Sequence, residues 1–237
     1  MNSCHPEKFF YSKKLQKKGT NKVGEGKYGQ VSVGCTKKSC HHQIAIKKSL
    51  DDMSHEYKML QKAYRIAPNH VTKPYYFVKC KPVGSIIYSE YIKGKTLKKS
   101  KIDKDILLQV LKTLYKFQQH GLRHNDLHLN NILIEDKTYR ALITDFGFAN
   151  ISDTGLSESY GIHPKNDPRY DYHFFLNSVY SLPRSPVPIK QFIAKVIPSE
   201  YLGKETIKIK NYRLRYRMDN STLPSLRQIL NLLVQKK

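Results

Sequence analysis

The sequence predicts an α+β chain, in which a small antiparallel sheet carrying one helix precedes a reduced, mainly helical part. Three observations point there. Residues 20 to 50 alternate apolar and polar side chains around a glycine-rich turn, "NKVGEGKYGQVSVG" and then "HQIAIKK", the period of two that strands require. From Asp103 to His120 the apolar residues Ile106, Leu107, Val110, Leu111, Leu114, Tyr115 and Phe117 return at helical spacing instead. No repeat and no long linker divides the 237 residues, so one core, or two small lobes sharing a cleft, is the expected organisation.

Taken in order, the glycine hairpin is followed by a helix predicted from about Met53 to Ala63. Strands near 73–80 and 84–91 then complete the sheet. "DKD" at 103–105 supplies a cap and an acidic first turn for the helix that runs to His120. Beyond a loop, "NILIED" and "RALITDFG" read as short strands, and helices are predicted near 170–180, 188–197 and 223–235. Pro183, Pro186 and Pro188 break the chain between the first two of these helices.

Composition narrows the function classes. No apolar run approaches the roughly 18 residues of a membrane helix, and "MNSCHPEKFF" has neither a signal layout nor a second-position glycine for acylation. The four cysteines are few and scattered; free thiols and a reducing, intracellular location, cytoplasmic or nuclear, are expected. "CTKKSCHH" reads as a polar hairpin tip, since its ligands crowd one turn and lack paired zinc spacing. Lys and Arg number 42 against 19 Asp and Glu, a net charge of +23, which attracts nucleic acid, acidic membranes or acidic proteins. "KIKNYRLRYR" at 208–217 interleaves Tyr212 and Tyr216 with arginines, a pattern for stacking bases or for a half-buried segment with one solvated basic face.

The chemistry lies in five short stretches. "VGEGKYGQV" places Val23, Gly24, Gly26, Gly29 and Val31 between two strands, where glycines let backbone fold over phosphates and offer N–H groups to them. The second strand leads to "IAIK", whose Lys47 points beneath that loop, and Glu56 of "SHEYKML" on the next helix supplies a countercharge. "HNDLHLNN" offers Asp126 and, five residues on, Asn131; "ITDFGFA" supplies Asp145. A carboxylate to orient a hydroxyl, with an amide and a second carboxylate for a metal, is what γ-phosphoryl transfer requires.

This ordered set resembles the eukaryotic-type protein kinase family over roughly residues 20 to 180, and more weakly to 235. The resemblance implies a two-lobed kinase fold, with an N-terminal extension at 1–19, a smaller lobe at 20–88, a hinge at 89–93 and a larger lobe at 94–237, and with ATP and Mg²⁺ or Mn²⁺ in the cleft. By the same resemblance Lys47 pairs with Glu56 and the α/β-phosphates, Asp126 is the catalytic base, and Asn131 and Asp145 are metal ligands. Val23 and the three glycines cover the nucleotide. Glu90 and Tyr91 lie beside adenine, Ser89 limits the back pocket, Val31 and Ala45 form the roof and Leu133 the floor. His124 and Phe146 resemble residues that pack the two loops together, and Asp171 a buried tie rather than a helix cap.

The departures carry expectations too. Asn125 stands where the family usually has arginine and cannot grip a phosphate bidentately, so activity without phosphorylation of the segment after Asp145 is expected. His128 replaces the usual lysine of serine/threonine kinases, which keeps open a small-molecule kinase of aminoglycoside or choline type. No "A-P-E" follows Asp145, and the C-terminal part is trimmed. The expectation is a minimal serine/threonine protein kinase acting on protein substrates, of the kind found in large DNA viruses or bacterial effectors, working in a host cell or virion. A pseudokinase serving as a binding module and a nucleic-acid-binding protein are competing expectations.

Overall fold

The computed structural model describes residues 22–26, 29–35, 42–80, 84–151, 169–199, 202, 207–209, 212–214 and 223–235. Alternation in the first third of the chain produces β1 (Lys22–Gly26), β2 (Gly29–Cys35), β3 (Gln43–Ser49), β4 (Pro74–Lys79) and β5 (Ser85–Glu90). They form one antiparallel sheet in the order β1-β2-β3-β5-β4.

Register decides what this sheet shows to the rest of the chain. Val31 pairs with Lys47 and Val33 with Ala45, while Lys47 and Ala45 pair in turn with Ile87 and Ser89. Directly paired residues share a face and alternate residues return to it, so Val31, Ala45, Lys47, Ile87 and Ser89 lie on one side. Ile44, Ile46, Ile86 and Tyr88 occupy the other and pack as a separate buried cluster. Ile87 belongs to the main core, which fixes the Lys47 side as the inner one. A register slip of one residue would send Lys47 outward.

Helix α1 (Ser54–Ile66) crosses this inner side, its buried Met59, Leu60 and Ala63 in the main core and Tyr57 stacked on Phe77 with ring centroids 5.4 Å apart. Its start is set from the sheet, because Ser85 Oγ accepts from Met53 N at 2.8 Å and donates to Asp51 O at 2.7 Å. The helix runs three residues past the predicted end. Its stop is Pro68, which disfavours helical geometry at the preceding Ala67.

The helical part is organised by α2 (Lys104–Gln119), whose Ile106, Leu107, Val110, Leu111, Leu114 and Phe117 are all buried. Asp103 caps it, accepting from Ile106 N at 3.0 Å, and Asp105 places negative charge in the first turn. Against it lie α3 (Tyr170–Ser181) and α5 (Leu226–Gln235), and α4 (Val187–Val196) packs on α3. Pro186 and Pro188 sit at the start of α4, where a missing N–H breaks no helix bond. Helix α5 begins later than predicted, after Pro224, because Ser225 and Gln228 form a reciprocal cap with bonds of 2.7 and 3.3 Å.

Between sheet and helices lie β6 (Gly94–Thr96), β7 (Leu122–Arg123), β8 (Ile132–Glu135), β9 (Ala141–Ile143) and β10 (Asn150–Ile151). Strands β6, β8 and β9 form a sheet in the order β6-β8-β9, and β10 pairs with β7. Periodicity did not predict β6, β7 or β10, whose two or three residues are too short to show alternation. At Gly94 a Cβ would collide with the Ile134 carbonyl oxygen, so the chain leaving β5 crosses β8 only as glycine.

In "KIKNYRLRYR", β11 (Ile207–Ile209) and β12 (Tyr212–Leu214) pair antiparallel, with Lys208 opposite Arg213. Residues 215–217 lie outside the described residues, as does most of "CTKKSCHH". Among the described residues no group of three or more potential ligands could hold a metal ion, and no helix is long and apolar enough to cross a membrane.

The expectation of free thiols is corrected. Cys35, fully buried at the end of β2, and Cys80, just after β4, are both disulfide-bonded. Sequence spacing says nothing of the few-ångström Cα separation that permits a bridge, and the cysteine count therefore carries no argument about compartment.

Candidate active site

Lys47 reaches the inner side of the sheet through the register just described, and Glu56 comes from the first turn of α1. Their pair forms at 2.8 and 2.9 Å to the two carboxylate oxygens. With 19% and 11% of the side chains exposed, this is a largely dried ion pair, unlike a surface bridge of negligible worth. The lysine also touches Asp145 Oδ1 at 3.1 Å, across 98 residues of sequence. One ammonium thus joins the sheet, the helix and the loop after β9.

Burial and pairing set the charges. Burial alone would lower the Lys47 pKa, but the adjacent Glu56 and Asp145 carboxylates outweigh it and hold it above the usual lysine value. Burial would likewise raise Asp145, yet the Lys47 charge holds it below the usual carboxylate range. For Glu56 burial wins, pushing it up to about 7.

That shift has a pH consequence. As pH falls through about 7, Glu56 takes up a proton and the Lys47 pair loses its negative member. The kcat/KM of the wild type is expected to decline on the acid side of pH 7, since that parameter reports the free enzyme. Glu56→Gln should be weakly active with no such limb; an unaltered acid limb in this variant would contradict the assignment.

The loop at 124–131 is fastened at both ends. Asp171, in the first turn of α3 and only 6% exposed, accepts from His124 N at 2.7 Å and from Asn125 N at 2.8 Å. Arg169, not Asp171, is the N-cap of α3, so Asp171 is a tie. His124 Nδ1 accepts from Asp126 N at 3.3 Å, which leaves Nε2–H to donate to Thr144 O at 2.9 Å. Its ring lies 4.9 Å from that of Phe146, which is wholly buried and meets Phe117 edge-on. The loop bearing Asp126 is thereby stacked on the segment bearing Asp145.

Asn131 and Asp145 leave the same end of the β8–β9 hairpin, because Ile132 pairs with Ile143. Thr144 secures them further, donating to Asn131 O from its backbone N at 2.9 Å and from its hydroxyl at 3.2 Å. The Asn131 side chain donates from Nδ2 to Asp126 O at 2.8 Å and to Asp126 Oδ2 at 3.4 Å. This fixes which end of the amide is oxygen, and Oδ1 is left as an acceptor. An amide oxygen and the Asp145 carboxylate, kept ionised by Lys47, form a hard oxygen donor set that fits a divalent cation.

The remaining predicted positions surround this centre. Val31 and Ala45 lie half-buried on the Lys47 side of the sheet, and Leu133 lies half-buried on β8. Val23, Gly24 and Gly26 are in β1, and Gly26 pairs with Gly29 at the head of β2. Ser89 pairs with Ala45 near the end of β5. Glu90 is less available than expected: Oε2 accepts from Lys73 N at 3.2 Å, Oε1 is 3.6 Å from Arg140, and its N–H goes to Lys73 O at 2.8 Å. Its neighbour Tyr91 follows directly, half-buried. His128 Nε2 stands 3.7 Å from Asp126 Oδ2, beside the carboxylate.

Two residues in this neighbourhood had no sequence signal. His55, next to Glu56, bonds Ala149 O at 2.7 Å, and Asn150 accepts from Asn125 Nδ2 at 3.1 Å. A histidine or asparagine in a polar stretch has many bland readings, and only the fold shows its partner.

The arrangement is that of a phosphotransferase centre: Lys47, braced by Glu56, touches Asp145, and the loop bearing Asp126 and Asn131 is stacked on the Asp145 segment. A model of the protein kinase domain family matches residues 18–163, more than half of the chain. The chain belongs to that family, and its α+β fold is the kinase fold. It is 27% identical over 148 residues to the serine/threonine-protein kinase KIN4 of Saccharomyces cerevisiae, covering 54% of this chain and 18% of that protein. It is 28% identical over 153 residues to the fatty acyl-CoA synthetase and RNA processing-associated kinase 1 of the same yeast, with the same coverage. The matched region thus spans less than a fifth of either relative. Membership in the family carries with it the use of ATP and a divalent metal.

Proposed function

We propose that this chain is a serine/threonine protein kinase that transfers the γ-phosphoryl group of ATP, with Mg²⁺, to hydroxyl groups of protein substrates. The observation that carries the reading is the double engagement of Lys47, at 2.8 Å with Glu56 and 3.1 Å with Asp145. A cation so placed holds the α/β-phosphates while Glu56 keeps it from swinging away. Asp126 orients the attacking hydroxyl and accepts its proton. Asn131 and Asp145 would hold the metal, which would supply positive charge to offset that developing on the transferring phosphoryl oxygens.

Val23, the glycines, Val31 and Ala45 cover the nucleotide from the sheet, and Leu133 supports it from below. With the Glu90 side chain and N–H already engaged, contact with the purine there falls to the Glu90 carbonyl and to Tyr91. We assign 20–88 to the smaller lobe, 89–93 to the hinge and 94–237 to the larger lobe, with 1–19 as an extension. The match to protein kinases favours protein over small-molecule acceptors, and the presence of Lys47, Asp126, Asn131 and Asp145 together favours an enzyme over a pseudokinase.

The test is phosphotransfer from labelled ATP with Mg²⁺ to a casein-like or basic protein, after phosphatase treatment of the enzyme and removal of the phosphatase. Label on serine and threonine at an undiminished rate is expected, since Asn125 offers no guanidinium to an activating phosphate. Label on tyrosine alone, or none after the treatment, would contradict the reading. The +23 charge gives a separate attraction for polyanions, which would show as nucleic-acid binding that falls steeply with salt and ignores ATP.

A further inference from the structure

The three residues Phe148, Ala149 and Asn150, just after the Asp145 loop, are gripped from two elements at once. From the Asp126 loop, Asn125 Nδ2 donates to Phe148 O at 2.9 Å and to Asn150 Oδ1 at 3.1 Å. Both acceptors are oxygens, which sets the orientation of the amide. Asn125 itself has φ +61° and is 1% exposed, a left-handed conformation that asparagine tolerates better than most residues. From the other direction His55, one residue before Glu56 on α1, bonds Ala149 O at 2.7 Å. A carbonyl only accepts, so the ring presents Nε2–H.

Backbone pairing completes the grip. Asn150 and Ile151 in β10 pair with Arg123 and Leu122 in β7, and Ala149 N donates to Phe146 O at 3.1 Å. Ala149 and Asn150 are 1% and 4% exposed, so a lost donor leaves a buried oxygen without water to replace it. The geometry also couples the elements, because moving α1 outward would break His55–Ala149 and Lys47–Glu56 together.

We propose that His55 and Asn125 are positioning residues of a built-in clamp on residues 148–150. The clamp holds Glu56, Asp126 and Asp145 in their working arrangement through direct side-chain hydrogen bonds to the segment, in the place of the arginine–phosphate pairs by which phosphorylation orders such segments. This rests on the kinase reading and deepens it, by naming what makes an activating phosphate dispensable.

The experiment compares the full chain with His55→Phe, His55→Gln, Asn125→Gly and the double variant His55→Phe/Asn125→Gly. Two readouts are taken: steady-state phosphotransfer, and hydrogen–deuterium exchange of residues 146–151 without nucleotide. His55→Phe keeps a ring but removes the donor. Asn125→Gly removes the amide at a φ that glycine adopts freely. Each is expected to lower kcat at least about tenfold with KM for ATP within about threefold, and to speed exchange in the segment. His55→Gln, whose amide nitrogen reaches about as far as Nε2, should recover most of kcat, which a merely space-filling role would not allow.

An active wild type whose Phe and Gly variants keep kcat within twofold overturns the clamp and leaves the kinase reading standing. A wild type without phosphotransfer overturns the kinase reading, and exchange then judges the clamp: faster exchange in the variants supports it as an ordering device, unaltered exchange overturns it. Should a variant fail to fold, the rescue by His55→Gln and the remaining single variant decide.

Discussion

Asp145→Asn is expected to abolish phosphotransfer while leaving the protein folded. The substitution removes the carboxylate assigned to the metal and the second partner of Lys47, 3.1 Å away. It leaves the Lys47–Glu56 pair intact at 2.8 Å. Metal-borne stabilisation of the transition state amounts to several kcal/mol, so the rate should fall by on the order of 1,000-fold or more. Stability should change little, because the replacement is nearly isosteric and creates no cavity. Asp145 also sits at φ +63°, a strained backbone of the kind found at functional sites, and asparagine tolerates that conformation well. The check is a rate measured beside a melting curve. Residual activity within tenfold of wild type would remove Asp145 from the metal site.

Asp171→Ala should act in the opposite order, on the fold first and on the rate through it. The Asp171 carboxylate is buried and accepts two backbone N–H groups, of His124 and Asn125, in the loop that carries Asp126. Removing it orphans both donors at roughly 1–3 kcal/mol each, for a total of about 2–6 kcal/mol. In a chain of this size that lowers the melting midpoint by roughly 4–24 °C. Asp171→Asn should lie between, since one oxygen remains to accept while the amide confronts the other N–H. Thermal unfolding followed by circular dichroism checks the order; an Asp171→Ala protein as stable as wild type would make the tie ornamental.

The site was legible where chemistry restricts residue type. Lys47, Glu56, Asp126, Asn131 and Asp145 stand in short stretches whose spacing follows from the strand, helix or turn that holds them, and the fold brings Lys47 against Glu56 and Asp145 and Asn131 against Asp126. The apolar stripe of α2 was legible for the same reason, since a period fixes a face.

What remained hidden depends on contacts distant in sequence. The partners of Asn125 lie 23 and 25 residues away and are reached only because its backbone turns left-handed. That Cys35 and Cys80 are each disulfide-bonded depends on Cα separations that no spacing reports. The capture of Glu90 by Lys73 and Arg140 depends on how the residues just before β4 and β9 meet the end of β5. Helix ends were missed by a few residues where a local stop, Pro68 or the Ser225–Gln228 cap, outweighed the apolar pattern.

Side chains from the sheet, α1 and two loops are expected to surround one metal-bound nucleotide, and a crystal structure with Mn²⁺ and a non-hydrolysable ATP analogue, with anomalous scattering to find the metal, would show it. The prediction is a metal peak about 2.0–2.3 Å from Asn131 Oδ1 and an Asp145 oxygen, with the Lys47 ammonium on the α/β-phosphates and still bonded to Glu56. A nucleotide ordered elsewhere, or a metal bound without either residue, would contradict it.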